Sequence, residues 1–116
     1  MSSTHEERQA ISQACDQLKE ILLKKNHDYG NSFGETFNEL GPISGLTRFI
    51  DKVNRLKELI LHHDQEVKDE SINDTWLDAA GYAILNYIHT KQLQSESHEP
   101  TFNIKKQVST KKAKHE

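Results

Sequence analysis

Glu70-Ser-Ile-Asn-Asp74-Thr-Trp-Leu-Asp78-Ala-Ala-Gly-Tyr-Ala-Ile-Leu-Asn-Tyr-Ile88 reads as a helix that is apolar almost all the way round. Ala79, Ala80, Gly81 and Ala83 are small enough to let another backbone approach closely, which places this helix at the centre of an all-α fold. It nevertheless carries acids at i, i+4 and i+8, so Glu70, Asp74 and Asp78 fall close to one line on its surface. Carboxylates on a helix built for burial are costly unless a cation, a base or hydrogen bonds compensate them. Ser71 and Asp74 also fit a capping box at the helix start, which accounts for the first two acids more readily than for Asp78. Asp78 is expected to be either paired with a base or bound to a cation.

Two further helices precede this one. From about Thr4 to Lys25, Ile11, Ala14, Cys15, Leu18, Ile21 and Leu22 recur at helical spacing, and Cys15 reads as core. Asn26 to Gly34 contains two glycines and several turn formers, so the helix is expected to break there. A short helical turn over Glu35–Leu40 ends at Gly41-Pro42. The next helix, about Ser44 to His62, has Leu46, Phe49, Ile50, Val53, Leu56 and Ile60 on its apolar side. Asp64 to Lys68 is a polar connection, and only Thr101-Phe-Asn-Ile104 hints at an extended piece. The expected architecture is an antiparallel bundle of three main helices plus a short helical turn, completed by oligomerisation into a dimer or higher. Residues 1–94 form the domain, and 95–116 form a polar basic tail.

Charge and composition narrow the function. The net charge of −3 is uneven: beyond residue 100, five lysines stand against Glu116 alone, a net +4, so the first hundred residues carry −7. An acidic body is a poor general nucleic-acid binder, because duplex affinity comes mainly from neutralised phosphates. The single cysteine allows no internal disulfide. The N-terminus lacks a signal-peptide pattern and no apolar run is long enough for a membrane span, which points to the cytosol and away from membranes.

The acids have a basic counterpart. Arg48, Lys52 and Arg55 lie at i, i+4 and i+7, with Asp51 within reach of both arginines. One reading is a set of surface ion pairs, each worth less than about 1 kcal/mol. The other is a division of labour, in which acids hold a divalent cation and bases hold phosphate oxygens. Hard oxygen ligands favour magnesium or manganese over zinc. The long stretch from Asn26 to Gly45 adds Asp28, Tyr29 and Phe33, whose rings either face a nucleobase or plug the core.

Three separated motifs carry a family resemblance: Lys25-Asn-His-Asp28-Tyr29-Gly30, Arg48-Phe-Ile-Asp51-Lys52-Val-Asn-Arg55-Leu56, and Asp69-Glu70-Ser71-Ile-Asn-Asp74-Thr-Trp-Leu-Asp78-Ala-Ala-Gly-Tyr82. In this order, over roughly residues 15 to 90, the chain resembles the phage and bacterial family called nucleotide modification associated domain 1. The resemblance implies a phosphorylated nucleotide as ligand in the cytosol of a phage-infected or prophage-carrying bacterium, met by Asp28, Tyr29, Arg48, Asp51, Lys52 and Arg55. A looser likeness is to the all-α nucleoside triphosphate pyrophosphatases of the MazG and dimeric dUTPase group. Those enzymes bind magnesium through acids on two helices and cleave between the α and β phosphates. That likeness implies magnesium on Glu70, Asp74 and Asp78. The first helix offers only Glu6-Glu7 and Glu20 in place of the group's Glu-Glu-x-x-Glu, so three functions are carried forward: a magnesium-dependent pyrophosphohydrolase, a non-catalytic nucleotide binder or sponge, and an inhibitor of a host defence protein.

Overall fold

Ser3 starts the first helix with a reciprocal cap. Its hydroxyl accepts from the Glu6 amide at 3.0 Å while the Glu6 carboxylate accepts from the Ser3 amide at 3.1 Å. In the computed structural model, which describes residues 3–62 and 69–97 (69, 70 and 97 through their backbone alone), α1 then runs Thr4–Tyr29. The helix continues a full turn past the expected end at Lys25. Gly30 closes it in a left-handed conformation (φ 68°), where an L side chain is disfavoured, and its amide donates to the Asn26 carbonyl at 2.8 Å. The chain divides into two units between Asn31 and Ser32, so α1 is a unit of its own. None of its residues is buried, and Leu18, Ile21 and Leu22 are half-buried. Cys15, expected in the core, is exposed like most of α1.

The second unit holds α2 (Ser32–Leu40), α3 (Pro42–Leu61) and α4 (Asp69–Ser97). The stretch expected to be mostly loop is therefore mostly helix. Gly30 does break the chain, but Gly34 is buried inside α2 and does not. Gly41 makes the turn into α3 at φ 91°, and Pro42 takes the first helical position, where its missing N–H costs nothing. The Ser44 amide and hydroxyl both donate to the Gly41 carbonyl, at 3.0 and 2.7 Å.

α3 and α4 run antiparallel, because contacts early in α3 fall late in α4: Gly45 meets Asn86, and Lys52 meets Asp78. The helices are in tight contact at Gly45. The Asn86 amide donates to the Gly45 carbonyl at 3.1 Å and to the Tyr82 carbonyl at 2.7 Å. A methyl at Gly45 would overlap the Asn86 side chain and stand 3.0 Å from the Phe33 ring. α2 covers one side of this pair with Phe33 and Phe37, which join Leu56, Leu59 and Ala79 in the core. Phe37 is 2% exposed, and its burial is worth about 1.5–3 kcal/mol.

The fold is all-α, with no strand among the described residues, as the apolar periodicity requires. One expectation does not hold among the described residues of the second unit. Although α4 is apolar all round, its cover is one-sided: Trp76, Ile84, Tyr87 and Ile88 remain 39–61% exposed. The polar connection at 64–68, the extended piece at 101–104 and nearly all of the basic tail lie outside the described residues. Residues 95–97, assigned to the tail from sequence, belong to α4.

Candidate functional site

The α3 helix places Arg48, Lys52 and Arg55 on one row because they recur at four and three residues. Arg48 is half-buried, with its guanidinium 5.7 Å from the centre of the Phe33 ring. That ring face holds the positive charge by cation–π attraction and restricts where the long side chain points. One turn on, the Lys52 ammonium reaches across to α4 and pairs with Asp78 Oδ2 at 3.3 Å. Both side chains are about a third exposed (30% and 33%), so the pair borders solvent. Arg55 and Asp51 are exposed. Tyr82, one turn beyond Asp78, packs against Phe33 with ring centres 6.0 Å apart. The result is a semi-exposed strip in which Lys52 is paired with Asp78 and Arg48, one turn earlier on α3, lies over the Phe33 ring.

The acids divide differently from their order in sequence. Asp74 is exposed one turn before Asp78, and the Glu70 side chain lies outside the described residues. No group of three or more His, Cys, Asp or Glu stands together as metal ligands among the described residues. The expected capping box at Ser71 is not formed, because α4 already begins at Asp69 and Ser71 is an interior position of its first turns. The Ser71 carbonyl instead accepts from the buried Thr75 hydroxyl at 2.6 Å. Asp28 and Tyr29 occupy the last turn of α1, in the other unit. There the Asp28 carboxylate is 3.3 Å from His27 Nδ1, and Tyr29 is 74% exposed. Phe33, the other candidate base platform, is a core residue.

His89 went unremarked in the sequence. It is 8% exposed, its ring lies 5.7 Å from both Phe33 and Phe37, and its Nδ1 is buried without a hydrogen-bond partner among the described residues. The signal that could have found it is spacing, since His89 falls ten residues after Ala79 and seven after Tyr82, on the covered side of α4.

No curated protein and no solved structure gives a significant match to the chain. The looser likeness to the MazG and dimeric dUTPase group thus gains no support. The sequence profile described as nucleotide modification associated domain 1 does match, over residues 25–90. That span includes Asp28, Tyr29 and Gly30 at the end of α1, the whole α3 cation row and the Asp74–Asp78 part of α4. It covers 66 of 116 residues, more than half of the chain, and on that match the chain belongs to the nucleotide modification associated domain 1 family.

Proposed function

We propose that the protein binds the phosphates of a nucleotide on the α3–α4 strip, with Arg48 and Lys52 as the principal cations and Arg55 as an outer one. The observation that carries this reading is the position of Lys52, an ammonium about a third exposed and paired to Asp78, one turn from an arginine over Phe33. Arginine offers a planar fork for two phosphate oxygens and lysine a movable point charge, so together they suit a phosphate of adjustable pose. Asp78 keeps Lys52 in place while no anion is present and would give it up to a doubly charged phosphate. Membership of a family associated with nucleotide modification supports a nucleotide over other phosphate esters.

Binding without turnover fits the described donor set better than hydrolysis. A magnesium-dependent pyrophosphohydrolase would need Glu70, Asp74 and Asp78 to share one ion, which would neutralise charge on the phosphates. Of these, Asp78 has an oxygen engaged by Lys52. The second reading retains one favourable observation: Asp74 and Asp78 are one turn apart on α4, and neither is sealed from solvent.

The test is a calorimetric and thermal-shift screen of mono-, di- and triphosphate nucleosides and cyclic dinucleotides, with and without magnesium, followed by chromatography of each mixture. Binding with the nucleotide recovered intact is expected, with Lys52→Met and Arg48→Met each weakening it about tenfold or more. Wild-type affinity in both variants would remove the strip as the site. Release of pyrophosphate would establish the enzyme instead.

A further inference from the structure

The side of the α3–α4 pair that α2 leaves open is built like half of a four-helix bundle. On α3, Ile43, Leu46, Ile50 and Val53 follow a 3-4-3 spacing, and the first three are 43–46% exposed. On α4, Trp76, Ala80, Ala83 and Tyr87 follow a 4-3-4 spacing, with Trp76 55% and Tyr87 61% exposed. Alternating steps of three and four keep a side chain on one seam of a helix, the pattern by which helices of a bundle interlock. At one end of the two seams lies a hollow of about 280 Å³, lined by Ile43, Leu46, Phe49, Ala83, Asn86 and Thr90 among others.

From these observations we infer that this face is covered by the same face of a second copy of the chain, giving a two-fold dimer with a four-helix core made of two α3–α4 pairs. Area supports this occupant. Ile43, Leu46, Ile50, Trp76 and Tyr87 alone leave roughly 500 Å² open, against the roughly 800 Å² that each partner gives to a standard stable interface. The two seams add Val53, Ala80 and Ala83 to that area. Charge supports it as well, because none of the eight seam residues is charged in a chain where 28% of residues are. Two parallel seams also suit a two-helix partner better than a lone peptide, which would fill the hollow and leave Trp76 or Ile50 uncovered. Small against large packing is available across the two-fold axis, with Tyr87 or Trp76 seated over the partner's Ala83.

The inference stands apart from the nucleotide reading. Arg48 and Lys52 lie roughly 200° and 240° round α3 from Leu46 at 100° per residue, so the dimer leaves both cation strips facing outward.

The test is light scattering with sedimentation velocity on the full chain across the micromolar range. The expected mass is twice the 13.4 kDa of one chain, with a melting temperature that rises with protein concentration. Leu46→Glu and Ile50→Lys, both at half-exposed positions that do not hold the α2 core, should each weaken the dimer on the order of a hundredfold while keeping the helical circular dichroism. Leu40→Glu, at a 60% exposed residue of α2, is the control that should leave the mass unchanged. A wild-type monomer overturns the inference, including the case in which α1 of the same chain covers the face. A dimer that survives both seam variants also overturns it, since association then uses another surface. Should Leu46→Glu unfold the chain, Ile50→Lys and the concentration dependence of melting decide the matter.

Discussion

Lys52 and Asp78 meet at 3.3 Å at a depth where each is still about a third exposed. Such a pair is neither fully hydrated nor sealed in a low-dielectric interior. Its loss should therefore cost more than a surface pair (below about 1 kcal/mol) and less than the 3–5 kcal/mol of a broken buried one. Asp78→Asn is expected to destabilise the fold by about 1–2 kcal/mol in urea unfolding, and Lys52→Met by a similar amount. The double variant should lose clearly less than the two together, because both single changes delete one interaction. Full additivity would mean that the pair contributes nothing. His89 tests the opposite situation. Its buried Nδ1 has no partner among the described residues, and a buried nitrogen left unsatisfied costs about 1–3 kcal/mol. His89→Phe keeps a flat ring between Phe33 and Phe37 and removes the stranded nitrogen. It should raise the unfolding midpoint, and a clear fall would show that the imidazole donates or accepts a bond the fold needs.

At the scale of elements, the contact between α3 and α4 turns on Gly45. In an ordinary helix interior, alanine in place of glycine stabilises by about 1 kcal/mol. Here the added methyl would collide with the Asn86 side chain, which is itself tied to the Gly45 and Tyr82 carbonyls. Overpacking should win, and Gly45→Ala is expected to cost about 1–3 kcal/mol by denaturant midpoint, with Asn86→Ala in the same chain recovering part of it. This crossing shows where sequence reading stops. The long periods of α1, α3 and α4 were legible from apolar spacing, and the cation row on α3 follows from its 4-3 steps. The facing of Lys52 to Asp78 was legible only as one of several pairings, since spacing within a helix says nothing about the register between helices. α2 was half legible: Glu35–Leu40 reads as a turn, but Phe33 and Gly34 look like loop until Phe33 is seen to close the core and Gly34 to lie buried. At the start of α4 the Ser71 sequence does not cap, because the helix already begins at Asp69 and Ser71 is helical, with its carbonyl accepting from the Thr75 hydroxyl.

At the scale of the whole molecule, charge separates one phosphate ligand from many. The first hundred residues carry −7, and the cations of the strip stand inside that negative field. A small nucleotide needs only the local charges of Arg48 and Lys52, which act over a few ångströms. A duplex presents phosphates along its length, and most of them would meet acidic surface at distances that salt does not fully screen at about 0.15 M. Nucleotide binding should therefore persist at that ionic strength with a shallow salt dependence, near two ion contacts' worth. Duplex DNA should not be retained by the body of the protein. The basic segment beyond residue 100 gives the experiment its contrast, because its net +4 is the chain's one source of non-specific phosphate affinity on composition. Mobility-shift titration of the full chain against a version ending at residue 97 should show any weak duplex retention lost with the segment. Calorimetry should find nucleotide affinity the same in both. A shortened chain that still held duplex DNA at physiological salt would mean that the α3 cations serve a polyanion, and the single-nucleotide site would have to be given up.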